Sequence, residues 1–159
     1  MSTTPAPDTE RTADRLAIRA LVDAWAHCAD RRLPLRQSEL FVPEGTVAVH
    51  PGPPKTTEPV QIIRGRAALA ESFGVLETYD HTTHFNGQST LAFDPADPDL
   101  ATGESYCLAH HVWTEDGTRT LLVMSIRYLD TFVRQEGRWL FADRRLVVDW
   151  TDKRPSQAG

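Results

Sequence analysis

The chain has 159 residues, a formal net charge of −5 at pH 7 and 25% charged residues. This length fits one domain with a core of its own, and an acidic chain without a basic block gives little support to a nucleic-acid partner. There is neither an apolar run near the roughly 20 residues of a membrane span nor the basic start and apolar stretch of a secretory signal, so we expect a cytoplasmic protein with no membrane partner.

The beginning of the chain is predicted to be helical after a short polar segment. Residues 1–10 are rich in Ser, Thr, Pro and Asp and are predicted to be disordered. From Asp8 to Ala29 apolar residues recur at helical spacing in two adjacent lines, which predicts a helix with a broad buried face. A second, short helix is predicted over 33–41, because proline is tolerated in a first helical turn.

Strand signals and a third helix follow. Residues 46–50 (TVAVH) alternate like a strand, and the proline-rich segment PGPPKTTEP after them is predicted to be an irregular loop. Residues 61–65 (QIIRG) are predicted to form a short strand, and 66–77 a helix that ends near Tyr79.

The second half consists of four long β-like runs. They are THFNGQSTLAF, TGESYCLAHHVW, TRTLLVMSIRYLDTFVR and RWLFADRRLVVDW, separated by the turn signals DPADPD, EDG and QEG. Such short connections predict an antiparallel meander, and helices followed by a curled sheet predict an α+β fold. We expect one domain over 11–151 that encloses a small-molecule pocket, followed by a flexible tail over 152–159.

Histidines are the side chains most able to carry chemistry here. Strand alternation puts His84 on one face of its strand, and that face is either wet or lines a polar pocket. The other members of this face are predicted to be Asn86, Gln88 and Thr90. His110 and His111 are adjacent, so only one of them can face a pocket.

Charged residues near the ends of two elements complete the candidates. Asp30 is predicted to end the first helix, where a carboxylate opposes the helix dipole and needs a partner such as a histidine; a solvated carboxylate is the alternative. Arg144 and Arg145 point to opposite faces of the last strand. One is expected to be solvated, and the other could hold a carboxylate or a developing oxyanion.

No metal or cofactor site is predicted. Cys28 and Cys107 are too few for a disulfide framework or a zinc site and are expected to be core residues. The histidines match neither HExxH nor another strong metal motif, and GRAAL around Gly65 lacks the glycine spacing of a nucleotide-binding loop.

The order of segments along the chain resembles the SnoaL-like branch of the nuclear transport factor 2 superfamily. The resemblance covers roughly residues 12–150, and its most specific part runs from Arg127 to Arg144. It is carried by AxxxLVDAWAHCADRR, FVPEGTVAVH, IIRGRAAL, THFNGQSTL, GESYCLAHHVW and YLDTFVRQEGRWLFADRRLVVDW. The resemblance implies an α+β cone, in which helices pack into a strongly curved antiparallel sheet around a deep pocket.

Within this superfamily the chain is most similar to scytalone dehydratase, hexachlorocyclohexane dehydrochlorinase and bile acid 7α-dehydratase. Each pairs an aspartate after the first helix with a histidine at the start of the third strand. By motif these positions fall on Asp30 in CADRR and His84 in TTHFNGQSTL. The resemblance also implies Arg144 as an active-site arginine and His110 as a second catalytic histidine, with His111 as the alternative in the HH doublet.

The tyrosines of the compared enzymes are absent from their usual places. Trp25 and Ala29 stand at positions that carry tyrosine in bile acid dehydratases and in scytalone dehydratase, respectively. Tyr106 and Tyr128 are the candidates to replace them, and together with Trp25 they form the predicted substrate-binding set. Further candidates for apolar walls are Phe73, Phe85, Leu108 and Val112.

The resemblance implies cofactor-free acid–base chemistry on a hydrophobic small molecule. Asp30 would fix the tautomer of His84, whose other ring nitrogen would remove a proton from an activated carbon. A dehydratase, another lyase or an isomerase is expected. Polyketide-cyclase-like ring closure and a non-catalytic binding or accessory protein are the alternatives.

Self-association is expected from the length of the last two strands. Three helices cannot cover both of them, so the outer sheet face keeps apolar residues whichever parity is chosen. Such a patch usually marks an interface, which predicts a homodimer or homotrimer.

Overall fold

The computed structural model describes residues 11–157. The predicted disordered segment 1–10, the helix start predicted at Asp8 and residues 158–159 lie outside the described residues. Helix α1 spans Thr12–Asp30 and buries an apolar line that includes Ile18, Val22 and Trp25. None of the helices within the described range has the length and apolar character that a membrane crossing requires.

The helices that follow α1 are shorter than predicted, whereas the first strand is longer and begins at Phe41. Helix α2 is Pro34–Ser38, because Phe41 already begins strand β1, Phe41–His50. Strand β2 is Gln61–Arg64. The region predicted as one helix consists of α3 followed by a 3-10 helix, and their bounds are Arg66–Phe73 and Gly74–Thr78.

Four long strands complete an open, curved sheet. They are β3 His81–Phe93, β4 Leu100–Glu115, β5 Thr118–Gln135 and β6 Arg138–Pro155. The strand order is β2-β1-β6-β5-β4-β3, and each described pair is antiparallel except β1–β6. The predicted α+β fold with a curved, mostly antiparallel sheet is confirmed, although the sheet does not close into a barrel.

Two tight hairpins produce the meander. Asp116 and Gly117 have φ angles of 49° and 75°, and Glu136 and Gly137 have 50° and 76°. Two successive residues with positive φ match the right-handed twist of the flanking strands, and glycine adopts this conformation without strain. The EDG and QEG signals therefore mark the β4–β5 and β5–β6 turns, as predicted.

Strand β6 extends beyond the predicted end of the domain. Asp152 pairs with Val123 and Pro155 with Thr120, so 152–155 belong to the sheet. The prediction of a flexible tail beginning at 152 is corrected here. The polar DKRP sequence is typical of a tail, but the backbone of β5 is long enough to pair with it.

An irregularity in β3 changes which residues face the interior. The register with β4 shifts between Asn86 and Ser89. His84 faces inward before the shift, whereas Thr90 is exposed and Leu91 packs against the core after it. The predicted single polar face of β3 is therefore interrupted, and the site lies at the β3 start, next to the end of α1.

Candidate active site

The end of α1 and the start of β3 bring Asp30 and His84 together. The imidazole Nδ1 lies 2.7 Å from Asp30 Oδ1, and the backbone N–H of His84 donates to Asp30 Oδ2 at 2.9 Å. A carboxylate accepts at this distance, so Nδ1 carries the proton. His84 also lines the cavity, so its other ring nitrogen, Nε2, is the position left to exchange a proton with a ligand.

Thr82 and Arg32 also hold the carboxylate of Asp30 in place. The hydroxyl of Thr82 donates to Asp30 Oδ1 at 3.0 Å, and the Arg32 guanidinium donates to that hydroxyl oxygen at 2.6 Å and to the carbonyl of Ala29 at 3.0 Å. A cation at the C-terminus of a helix offsets the unfavourable dipole that Asp30 meets there. The predicted partner for Asp30 is thus present twice, as a histidine and as an arginine acting through a threonine.

These contacts keep Asp30 ionised. Burial alone would raise the pKa of its carboxyl, but hydrogen bonds from the side chain and backbone of His84 and from Thr82 outweigh burial and lower the pKa below its ordinary value. The carboxylate can therefore hold the Nδ1–H tautomer of His84 throughout the neutral range.

His111, not His110, faces the same cavity. Its ring is 5.5 Å from that of His84 and 4.5 Å from that of Tyr79, and it is only 6% exposed. The motif prediction of His110 is corrected by one residue, because the inward parity of β4 is set by the buried Cys107 and Ala109. His110 points to the outer side of the sheet.

Burial makes His111 a neutral imidazole. Desolvation, with the nearby charge on His84 as a smaller cause, lowers its pKa to about 4. Neither ring nitrogen has a hydrogen-bond partner among the described residues. A neutral imidazole carries one N–H donor and one acceptor, so a bound ligand could pair with it.

His84 and His111 line a cavity of about 160 Å³ with mostly apolar walls. Aromatic side chains of Trp25, Phe73 and Tyr128 form part of the wall. Trp25 and Tyr128 were predicted as substrate contacts, and Phe73 as an apolar wall. The remaining lining residues are Ala29, Gln37, Val47, Val49, Gln61, Ile63, Ser72, Val75, Leu76, Met124, Ile126 and Leu146. A cavity of this kind suits an apolar molecule with few polar groups.

Several predicted contacts lie on the other side of the sheet. Tyr106 is 38% exposed, and Phe85 and Leu108 are exposed on the same outer face. The predictions that these residues, and Val112 beside them, line the pocket are corrected: strand alternation sends them outward once His84 and His111 point inward.

Arg144 lies beneath the cavity wall instead of in the cavity. Its Nε and Nη2 each donate to Asp130 at 2.8 Å, and both side chains are sealed from solvent. The guanidinium stacks 4.0 Å from the centre of the Tyr128 ring and 4.6 Å from that of Trp25. The predicted role in holding an oxyanion is corrected, because Arg144 is not among the residues that line the cavity and its Nε and Nη2 are engaged by Asp130. Arg145 is the solvated member of the pair, as its exposure shows.

Neither cysteine is activated. Cys28 and Cys107 are buried and free, and burial raises the pKa of Cys107 to about 11. A thiol that stays protonated is a poor nucleophile. Within residues 11–157 no three His, Cys, Asp or Glu side chains are grouped to hold a metal ion.

The model of the SnoaL-like domain family matches residues 10–145. The chain belongs to the SnoaL-like domain family. The predicted resemblance is thereby confirmed, and the α1 end, the β3 start and the β4 centre that form the site all lie inside the matched range of this SnoaL-like domain. Among curated protein sequences, none matches the chain.

Solved structures share the fold of this SnoaL-like domain. A scytalone dehydratase-like protein from Novosphingobium aromaticivorans is 24% identical with a TM-score of 0.74, covering 92% of this chain and 91% of that one. The LinA-type3 hexachlorocyclohexane dehydrochlorinase from Novosphingobium barchaimii is 18% identical with a TM-score of 0.74, covering 96% of each chain. A protein of unknown function from Mycobacterium tuberculosis is 23% identical with a TM-score of 0.72, covering 92% of this chain and 78% of that one.

Sequence reasoning missed three residues around the site. Arg32 follows Asp30 by two residues in CADRR, where the sequence already offers it as a cation at the end of the helix. Tyr79, which stacks on His111, carries no local signal. Asp130, the partner of Arg144, becomes its neighbour only through the β5–β6 register, in which the two residues face each other.

Proposed function

We propose that this SnoaL-like domain is a cofactor-free acid–base enzyme that removes a proton from a carbon of a hydrophobic small molecule. The observation that carries the proposal is the 2.7 Å contact of Asp30 with His84 Nδ1 at the wall of an apolar cavity. A dehydratase, another lyase or an isomerase is the class we favour. The names of the dehydratase-like and dehydrochlorinase neighbours agree with it.

The proposed reaction begins with His84 as general base. Nε2 takes a proton from a carbon next to a carbonyl, or next to the carbon that carries a leaving group. In an elimination, the electron pair of the broken C–H bond becomes the new C=C bond as halide departs, or as hydroxide departs and takes the proton back from His84 to leave as water. Next to a carbonyl the electron pair forms an enolate, and His84 returns the proton to another carbon, so that the double bond shifts. The imidazolium that forms on His84 is stabilised by the ionised Asp30.

His111 is proposed as the electrophilic partner, in the role that the motif assigned to His110. It is neutral at pH 7, so it adds no second positive charge beside the imidazolium of His84. Its N–H can donate to the carbonyl or leaving oxygen, where negative charge develops. Arg144 is proposed to hold Trp25 and Tyr128 in place as the cavity wall.

Hydrogen exchange from solvent tests proton abstraction without knowledge of the natural substrate. Cyclohexanone, a small enolisable ketone, is incubated with the protein in D₂O and its deuterium content is followed by mass spectrometry. We expect exchange above the buffer rate with the wild type and with His110→Gln, and loss of that excess with His84→Gln. If His84→Gln exchanged as fast as His110→Gln, the proposal would be wrong, and the cavity would be assigned to ligand binding alone.

We also propose that copies of this chain associate through the outer sheet face, as a homodimer or homotrimer. Phe85 pairs with Leu108, Leu108 with Ser125, and Ser125 with Trp150, so these positions form one row across four strands. Phe85 and Trp150 are 68% and 53% exposed. An apolar row of this kind favours an interface.

We also propose that the protein is located in the cytoplasm, where its free, buried cysteine thiols stay reduced.

A further inference from the structure

The cavity that His84 lines adjoins a surface groove between β2 and α3. This groove has a volume of about 520 Å³, and we call it the vestibule. Its lining residues are Gln61, Ile63, Ala68, Glu71, Ser72 and Val75. Four of these six also line the cavity, namely Gln61, Ile63, Ser72 and Val75. The two spaces therefore adjoin along these four side chains.

The volume of the inner cavity limits the part of a ligand that can reach His84. A cavity of about 150 Å³ in another protein holds one benzene molecule. At about 160 Å³, this cavity has room for one ring or a fragment of similar size. A larger ligand has to leave its remaining atoms outside the cavity, and the vestibule is an adjoining space for them.

The charged residues of the cavity and the vestibule disfavour an anionic ligand. None of the described cavity-lining residues is Lys, Arg, Asp or Glu. The Arg144 guanidinium does not line the cavity: it gives two of its donors to Asp130 and lies against the rings of Trp25 and Tyr128. Among the described vestibule residues, Glu71 is the one with a charge, and it repels an anionic ligand. A carboxylate or phosphate entering here would lose water without gaining a cation.

We propose that the vestibule is a second ligand subsite, and that the substrate is an uncharged molecule with a ring-sized reacting head and an apolar extension. The head occupies the cavity against His84 and His111. The extension lies along Ile63, Ala68 and Val75, whose aliphatic surface faces the groove. The inference rests on the proposed function for the identity of the reacting head, whereas the binding of the extension is independent of catalysis.

A series of 4-alkylphenols tests the subsite by affinity. Phenol, 4-ethylphenol and 4-butylphenol are titrated into the wild type by calorimetry. Each methylene buried in the vestibule is expected to tighten Kd about fourfold. The carboxylate analogue 4-butylbenzoate is expected to bind about 100-fold more weakly than 4-butylphenol, because an ion is costly to desolvate.

Two adjacent alanines of α3 provide a matched pair of variants. Ala68 lines the vestibule and Ala67 does not, and both are exposed, so a larger side chain at either is expected to leave the fold intact. Ala68→Phe is expected to abolish the gain in affinity with chain length while leaving the Kd of phenol unchanged. Ala67→Phe is expected to keep the wild-type gain, and thermal melting verifies that both variants are folded.

Three results would overturn the subsite: a chain-length gain that survives in Ala68→Phe, no gain in the wild type, or no binding of any phenol. The hydrogen-exchange assay separates this failure from that of the proposed function. Exchange with no chain-length gain removes the subsite alone. A chain-length gain without exchange removes the catalytic proposal and leaves the vestibule as a ligand subsite.

Discussion

Two polar pairs lie on the inner side of the sheet, and they differ in access. Asp130 and Arg144 are sealed from solvent, joined by two hydrogen bonds of 2.8 Å and covered by aromatic rings. Asp30 and His84 form a contact of 2.7 Å, but the histidine lines the cavity and Asp30 is one-quarter exposed, at 26%. Each pair has one carboxylate, yet only the second keeps a titratable nitrogen within reach of a ligand.

The comparison separates a structural pair from a reactive one. A buried ion pair is stable only while both members are present, because removal of one member leaves an uncompensated charge in the core. An oriented imidazole at the wall of a cavity can exchange a proton with a ligand without disturbing the core. Substitution of the first pair should therefore affect stability, and substitution of the second should affect turnover.

The largest effect is expected from the sealed pair. Arg144→Met should lower the free energy of unfolding by about 3–5 kcal/mol, because it leaves the buried Asp130 carboxyl without its partner. Arg145→Met, one position along and exposed, should change it by no more than about 0.5 kcal/mol. Urea denaturation measures both. A stable Arg144→Met protein that had lost turnover would instead make Arg144 catalytic.

The open pair is expected to control rate. Asp30→Asn and His84→Ala should each reduce turnover at least about 100-fold, or about 2.7 kcal/mol of barrier. The double variant should be little worse, because the two side chains act as one unit. Asp80→Asn, an exposed change nearby, is the control for both kinetics and thermal melting. Near-normal turnover in both variants would assign the cavity to binding, and unfolding of both would make the pair structural.

His111 is expected to make the protein less stable in mild acid. Its pKa is about 4 in the folded state against an ordinary 6.5, so between these values the unfolded state binds more protons. The free energy of unfolding should then fall by about 1.4 kcal/mol for each pH unit as pH decreases through this window. His111→Phe should flatten that slope.

Asp30 also makes the free energy of unfolding depend on pH, but over a more acidic range than His111. Because the pKa of Asp30 is lower in the folded state, Asp30 stabilises the folded state at pH values above its pKa in the unfolded chain. This contribution is lost as pH falls through the pKa of the folded state. The difference in slope between the wild type and His111→Phe from pH 7 to 4.5 therefore isolates the contribution of His111. An unchanged slope in His111→Phe would show that the His111 side chain is not the source.

Much of the fold follows from local sequence patterns. The helical periodicity before Asp30 predicts α1, and the EDG and QEG signals predict the two tight hairpins. The resemblance singles out Asp30 and His84, which the structure brings within hydrogen-bond distance. The helix and hairpin predictions succeed because spacing and turn chemistry act over a few residues, whereas the Asp30–His84 pair comes from the resemblance alone.

The rest depends on pairing between distant segments. The choice between His110 and His111 requires the inward parity of β4, which the irregularity after Asn86 makes harder to read from β3. The partner of Arg144 is set by the β5–β6 register. The last residues of β6 look like a polar tail, yet their backbone pairs with β5 regardless of side-chain polarity.

Substitutions on the outer face of the sheet are expected to have the smallest effect on folding. Phe85→Ser combined with Trp150→Ser should convert the proposed oligomer into a monomer, while each exposed change alters monomer stability by only about 0.5 kcal/mol. Sedimentation velocity measures the change in mass. A wild type that sediments as a single 17.8 kDa species at micromolar concentration would contradict the proposed interface.

The most direct test of the Asp30–His84 pair is the imidazole tautomer of His84. Nitrogen NMR of ¹⁵N-histidine-labelled protein at neutral pH, assigned with His84→Gln, distinguishes a protonated from an unprotonated ring nitrogen. We predict that Nδ1 is protonated and Nε2 is not, and that Asp30→Asn loses this preference while Asp130→Asn does not. A resonance pattern with the proton on Nε2 in the wild type would contradict the assignment of His84 as the base that faces the cavity.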